Sequence, residues 1–103
     1  MKGLGDINKM LKTAQEMQER MQKELAELRV EGQSGGGMVT IVLDGQRHLH
    51  AVKLDPEVVS RDDVDMLQDL IVAAFNDASV KVDEELARRL GGLGAGLKFP
   101  GLS

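Results

Sequence analysis

The chain has 103 residues, with 13 Lys plus Arg against 17 Asp plus Glu, and therefore a formal net charge of −4. This length predicts one compact domain with a modest core and excludes a large enzyme with a deep pocket. The hydrophobic share of 42% excludes a disordered chain, and the lack of Cys excludes disulfides. Because Trp and Tyr are absent, the protein cannot stack the bases of a single nucleic-acid strand on a run of aromatic rings.

No segment has the pattern of a membrane span or a secretory signal. The longest uncharged apolar run, Leu70 to Asn76, is far too short to cross a bilayer, and the first ten residues contain no apolar stretch. We therefore expect a cytoplasmic protein that does not contact a membrane. The acidic total, taken alone, argues against a nucleic-acid partner.

The first predicted element is a long amphipathic helix. Residues 1–5 are predicted to form a flexible lead-in, and Asp6 is predicted to cap a helix that runs to about Leu28. Apolar residues recur every seven positions, at Ile7, Ala14, Met21 and Leu28. Met10 and Met17 each follow one of these by three positions. This spacing predicts a heptad seam that packs in the core or against a second chain, and its Met content makes it adaptable.

Three short strands are predicted next, because the hydrophobic period changes to two. The strands cover about Val30 to Ser34, Met38 to Leu43 and His48 to Leu54. Glycines at 35–37 and the dipeptide Asp44-Gly45 predict the two turns, and Pro56 ends the last strand. Together they predict a three-stranded antiparallel sheet.

The second predicted helix begins after Ser60, as its cap, and ends at Gly91-Gly92. At about 45 Å it is far longer than a strand of about 20 Å, so both helices must overhang the sheet. Overhanging apolar stripes predict a homodimer. The stripes that we predict to form the core or the dimer contact include Ile7, Met10, Met17, Met21, Leu70, Phe75 and Val82.

An ordered series of short motifs closely resembles the YbaB/EbfC family of bacterial nucleoid-associated proteins. The series is a helix, then Gly35 to Val39 (GGGMV), Asp55 to Val59 (DPEVV), Asp62 to Ala74 (DDVDMLQDLIVAA) and Asn76 to Ala78 (NDA). The resemblance covers nearly the whole chain. It implies an α+β protomer in the order α-β-β-β-α, a tweezer-like homodimer, and binding to DNA that alters its conformation.

Counting charge by segment separates a basic end from an acidic one. Residues 55–90 carry −6, and every other segment is near neutral. Because the first helix runs towards the sheet and the second runs away, we expect the start of one and the end of the other to share a distal tip. That tip is predicted to bind DNA through Lys2, Lys9, Lys12, Arg88, Arg89 and Lys98, with Asp6 as its one acid.

These features predict double-stranded DNA as the partner, bound with little sequence specificity. Lysines and arginines at paired tips suit the phosphate backbone, and no base-reading motif is present. Such a protein would act in the nucleoid, in its organisation, in gene regulation or in DNA protection. The alternative is a protein-interaction scaffold with Met-rich helical arms, for which contact with DNA is incidental.

Residues 6–90 are predicted to form the single DNA-binding and dimerisation domain, and 91–103 a Gly-rich mobile tail. Other signals predict no catalysis. The run Gly32 to Gly37 lacks the Lys and the helix of a phosphate-binding loop. His48 and His50 are predicted to be surface histidines without a third metal ligand. We therefore expect no enzyme activity, no metal, no cofactor and no small-molecule substrate.

Overall fold

The computed structural model describes residues 2–93, and its element order confirms the predicted α-β-β-β-α arrangement. Two long helices flank three short strands in sequence. Their bounds are α1 Lys2–Glu27, β1 Val30–Ser34, β2 Val39–Leu43, β3 Leu49–Leu54 and α2 Val64–Leu93. The Gly-rich tail that was predicted to be mobile lies, from residue 94 onward, outside the described residues.

The sheet is antiparallel throughout and has the strand order β1-β2-β3. All three residues of the first turn, Gly35 to Gly37, have positive φ, which explains why glycine stands there. The second turn differs from the expectation drawn from Asp44-Gly45. Its left-handed residue is Arg47, with φ of 67°, and a bulge follows it where β2 pairs with β3.

Helix α2 packs across β1 and β2 at very close range, because small residues meet at the contact. Gly32 is buried in β1, and the facing Ala74 and Ala78 are completely buried in α2. A Cβ placed on Gly32 would lie 2.2 Å from the backbone nitrogen of Ala78 and 2.4 Å from the carbonyl oxygen of Ala74. The buried side chains around this contact are Val39, Ile41, Leu43, Val58 and Val82.

Two polar contacts fix α2 along the outer side of β1. The Ser34 hydroxyl donates to the carbonyl oxygen of Leu70 at 2.5 Å, and the Gln33 amide donates to Asp77 Oδ2 at 2.9 Å. The Gln33 hydrogen bond is the main cause that lowers the pKa of Asp77, and Lys81, 3.0 Å away, lowers it further. The helix is therefore held at two positions along this strand.

The predicted apolar stripes divide into a core part and an exposed part. Val82 is buried and Leu70 packs partly buried against the core, whereas Phe75 remains 38% exposed. On α1 the exposed fractions are larger, and the exposed members of the seam are Ile7, Met10, Met17 and Met21. A core role for the α1 seam is therefore wrong, because the helix projects away from the sheet.

Three helix ends differ from their predictions. Helix α1 already begins at Lys2, so Asp6 lies inside it and caps nothing. Ser60 caps a separate 3₁₀ turn by accepting from the Asp62 amide, and Asp63 accepts from the Met66 amide at the start of α2. Helix α2 continues through Gly91 and Gly92, since helical hydrogen bonding persists where the sequence indicated a stop.

We expect Gly32→Ala to lower the free energy of unfolding by about 1–3 kcal/mol, because the new methyl group overlaps the backbone of α2, which is too rigid to yield. Urea unfolding followed by circular dichroism measures this change. Gly5→Ala is the matched control, since a Cβ there meets nothing within 4 Å. Equal unfolding midpoints for Gly32→Ala and the wild type would contradict the proposed close packing.

Candidate nucleic-acid interface

Helix α1 projects from the sheet as an arm that is fixed only at its base. Its residues from Gly3 to Glu24 are exposed, whereas Leu25 and Ala26 are half-buried. The Gly45 amide, in the turn between β2 and β3, donates to the carbonyl oxygen of Leu25 at 2.8 Å. A Cβ on Gly45 would lie 2.8 Å from that same oxygen, so the base of the arm requires glycine in the turn.

A groove of about 440 Å³ separates the base of α1 from the end of α2. Its lining residues are Met21, Glu24, Leu25, Leu86, Arg89 and Leu90. Only this short stretch of α1 runs beside α2. The remaining length of α1 extends further, and the molecule measures 74 Å along its long axis and 16 Å along its short one.

The turn that holds the arm is organised by a buried carboxylate, Asp44, which is 2% exposed. Its Oδ1 accepts from the backbone amides of Gln46 and His48 at 2.8 and 3.0 Å, and its Oδ2 accepts from His50 Nε2 at 2.9 Å. The His50 hydrogen bond is the main cause that holds the pKa of Asp44 well below its usual range. Burial opposes that shift, and the two amides add to it.

Four cations lie along one side of the arm. Lys9, Lys12, Arg20 and Lys23 are exposed, and their spacings of 3, 8 and 3 place them on the same face of a helix. Within residues 2–93 none of the four forms an ion pair. Glu16, four residues from both Lys12 and Arg20, and Glu19, four residues before Lys23, lie on the same face. Four cations against two acids leave this face with a net charge of +2.

The two arginines predicted for the same tip lie at the base of the arm instead. Arg88 pairs with Glu85, and Arg89 Nε lies 3.3 Å from Glu85 Oε1. Arg89 Nη1 also lies 4.0 Å from Glu24 Oε2. The expectation that no acid faces these arginines is therefore wrong. By the helix rise, Glu24 lies about 22 Å along α1 from Lys9, so the structure does not bring Arg89 together with the lysines.

The other two predicted tip residues add little to this geometry. Lys2 is the first residue of α1, and Lys98 lies outside the described residues. Arg20 and Lys23 were missed because the charge count treated the tip as residues 1–15. Their helical spacing from Lys9 and Lys12 could have indicated them.

The two histidines lie at the turn between β2 and β3, away from any metal-binding cluster within residues 2–93. No cluster of three or more His, Cys, Asp and Glu side chains in this part of the chain could hold a metal ion. His48 and His50 both approach Asp44, with His48 Nδ1 at 3.4 Å, and this shared contact holds the turn.

In the same range no helix is long and apolar enough to cross a membrane.

Comparison with known proteins connects this geometry to a family. The model of the YbaB/EbfC DNA-binding family matches residues 1–97. The chain belongs to the YbaB/EbfC DNA-binding family. This finding confirms the resemblance seen in the sequence and makes the chain a member of a DNA-binding family rather than of an enzyme family.

Named relatives of this YbaB/EbfC chain are nucleoid-associated proteins. One from Acetivibrio thermocellus is 49% identical over 105 residues, covering 95% of this chain and 90% of the relative. Another, from Koribacter versatilis, is 42% identical over 96 residues, covering 93% of this chain and 95% of the relative. The crystal structure of an uncharacterized protein from Helicobacter pylori has the same fold, with a TM-score of 0.70 at 21% identity and coverage of 85% of this chain and 94% of that one.

We expect the stability contributed by Asp44 to depend on pH in a defined direction. Since the pKa of Asp44 is lower in the folded than in the unfolded state, its contribution is complete above the unfolded value of about 4 and is lost as the pH falls through the folded value. The difference in urea midpoint between the wild type and Asp44→Asn should therefore shrink between about pH 5 and pH 2.

Two histidine variants provide the control for this pH dependence. His50→Ala should reduce it more than His48→Ala, because His50 makes the closer contact with the carboxylate. A midpoint difference between the wild type and Asp44→Asn that stays constant as the pH falls would contradict the assigned role of Asp44.

Proposed function

We propose that the protein binds duplex DNA with little sequence specificity, as a homodimer, through the cationic face of α1. The observation that carries this proposal is the row formed by Lys9, Lys12, Arg20 and Lys23, exposed on a projecting helix and without ion pairs within the described residues. Arg88 and Arg89 are less available, since Glu85 already neutralises part of their charge.

The chemistry of this face suits phosphate rather than base edges. Lysine is a flexible point charge that contacts phosphate oxygens without a fixed geometry, and three of the four cations are lysines. Sequence readout in the major groove depends largely on bidentate Arg, Asn or Gln contacts. Affinity would come mainly from the release of counterions, which explains weak sequence dependence and predicts a strong effect of salt.

The acidic start of α2 does not prevent this binding, because it is far from the arm. Asp62, Asp63 and Asp65 lie at the start of α2, and the base of α1 is beside residues 86–90 near the other end. By the helix rise, the separation is about 35 Å, several times the Debye length of about 8 Å at physiological salt. Screening therefore makes this aspartate cluster a weak influence on the arm. The acids nearer its base are Asp83, Glu84 and Glu85, and Glu85 pairs with Arg88 and Arg89.

Two arms in a homodimer would contact one duplex at two places. Such contacts favour whichever DNA curvature fits the separation of the arms, so binding is expected to change DNA conformation. The names of the relatives support a place in the nucleoid, and we propose the cytoplasm as the compartment. Nucleoid organisation, gene regulation and DNA protection are the roles that this activity would serve.

A protein-interaction scaffold is the second candidate, and one observation favours it. Met10 and Met17 are 71% and 63% exposed on the arm and, with Lys9, Thr13 and Ala14, line a shallow groove of about 380 Å³. Exposed methionines are typical of adaptable helix-binding surfaces. On this alternative, DNA binding should be too weak to detect at physiological salt.

We expect replacement of Lys9, Lys12 and Lys23 by Gln to weaken DNA binding and to flatten its salt dependence. Each lost phosphate contact should reduce the slope of log K against log salt by about 1, so the triple variant should lose up to about 3 per protomer. Gel shifts over a salt series, with duplexes of different sequence, measure both quantities and the sequence preference.

The matched control is the double variant Arg88→Gln and Arg89→Gln, which changes two cations that already have acidic partners. Its salt slope should change less per residue than that of the lysine variant. A larger effect from the arginines than from the lysines would move the DNA contact to the base of the arm and contradict the proposal.

We expect the wild-type protein to increase the rate at which ligase circularises a duplex near the DNA persistence length of about 150 base pairs, because a bent complex brings the ends together. The triple lysine variant, at a concentration that gives equal occupancy, should do so less. Equal circularisation rates with and without bound wild-type protein would show that binding leaves DNA conformation unchanged.

A further inference from the structure

The two most exposed large apolar side chains within residues 2–93 lie together on the arm. Met10 and Met17 are 71% and 63% exposed. Because they are seven residues apart, they lie on the same side of α1, about 10 Å from each other along its axis. With Lys9, Thr13 and Ala14 they line a shallow groove, and the smaller Thr13 and Ala14 side chains lie between them. Two separate thioether side chains therefore project from this side of the arm.

A cation stands at each end of this methionine pair. Lys9 precedes Met10 and lines the same groove, and Arg20 follows Met17 by three residues on the adjoining side of the helix. The two cations are exposed, about 16 Å apart along the axis, and without ion pairs within the described residues. Asp6, an acid on the same side, lies beyond Lys9 at the end away from Met17. Apolar side chains bracketed by cations are complementary to a duplex, in which charged phosphates border stacked bases.

We infer that Met10 and Met17 insert between base pairs of the bound duplex as apolar wedges and thereby kink it. The inference rests on the proposed function, since it requires the arm to bind DNA, and it names the side chains that change the conformation of that DNA. Proteins that kink DNA in this way insert Phe, Leu, Ile, Met or Pro side chains between base steps and unstack the bases in part.

The chemistry of the methionine side chain suits this role. It is unbranched and flexible, and its sulfur makes favourable contacts with aromatic rings, which the nucleobases provide. Helix α1 carries no aromatic side chain that could take the same place. The separation of about 10 Å between the two methionines corresponds to about three base-pair steps of 3.4 Å, so each can enter a different step of one duplex.

The adjacent cations favour DNA over a protein as the occupant of this groove. Exposed methionines alone suit a partner helix as well as a duplex. Lys9 and Arg20, however, lie where the phosphates on either side of a wedged step are expected, so one surface makes both the ionic and the apolar contacts. Insertion requires no contact with base edges. It favours flexible pyrimidine–purine steps, which unstack most easily.

The inference is tested with the full-length protein and a short duplex that carries the fluorescent base 2-aminopurine in a central TA step. Unstacking brightens this base, so the wild type at saturating concentration should increase its fluorescence. The double variant Met10→Ala and Met17→Ala should lose this increase. Its slope of log K against log salt should stay within about 1 of the wild-type slope, because no phosphate contact is removed. Met10→Leu with Met17→Leu should retain the increase, since leucine also acts as a wedge.

The matched control is Leu11→Ala, which truncates an apolar side chain that is 58% exposed and, two residues from Lys9, lies on the opposite side of α1. It should keep both the fluorescence increase and the salt slope. Circular dichroism checks that all variants fold.

The outcomes separate the wedge from DNA binding itself. A full fluorescence increase in the double alanine variant would overturn the inference and leave the methionines to a protein partner, and an equal loss in Leu11→Ala would also contradict it. No increase with the wild type, while gel shifts still show salt-dependent binding, would overturn the wedge and leave the proposed function in place. No binding by the wild type in the gel shifts would overturn both.

Discussion

The contact between Gly32 and the backbone of α2 is the constraint on which the rest of the structure depends. Because Gly32 has no side chain, the helix approaches β1 to a distance that any Cβ would prevent. Ala74 and Ala78 make the same contact possible from the helix side. Because of this close approach, α2 buries the side chains on the inner face of β2. The helix does not extend over the whole sheet, so apolar side chains of β3 stay exposed.

The off-centre position of α2 has two consequences for function. It leaves Leu49, Val52 and Leu54 of β3 exposed, and it carries the end of α2 past the sheet to the base of α1. The base of the arm is held by the turn between β2 and β3, in which Gly45 contacts Leu25 and Asp44 holds the backbone. The direction of the cationic helix therefore depends on turn residues that never approach DNA in the proposed binding mode.

The charge distribution explains how an acidic protein belongs to a DNA-binding family. Its net charge of −4 averages an acidic start of α2 with an arm whose cations are exposed. The fold separates the two by several Debye lengths, so phosphate near the arm experiences mainly the local charge. The same separation restricts the DNA-binding surface, because the acidic part of the molecule repels phosphate.

Local patterns in the sequence were sufficient for the element order. The change of hydrophobic period near Val30, the glycines at 35–37 and Pro56 act over a few residues, and the structure confirms the strands and the glycine turn that they predicted. Helix ends were less predictable. Gly91 did not end α2 and Asp6 did not begin α1, because cap signals compete with strong helix formers on either side.

The candidate site was only partly predictable, since it depends on which helix faces meet. The sequence indicated Lys9 and Lys12, but it also indicated that Arg88 and Arg89 face no acid, and Glu24 and Glu85 lie beside them. Likewise, periodicity marked Met10, Met17 and Val82 equally as apolar stripe residues. Only packing decided that Val82 is buried while the two methionines are exposed.

By itself, the sequence determined the secondary structure, the family and the presence of cations on the first helix, because these follow from local spacing and ordered motifs. The tertiary structure decided three further features: the direction of the arm, the ion pairs that occupy Arg88 and Arg89, and the part of the sheet that stays uncovered. The physical reason is that each depends on how closely two distant backbones approach, and that distance is set by Gly32 against Ala78 and by Gly45 against Leu25.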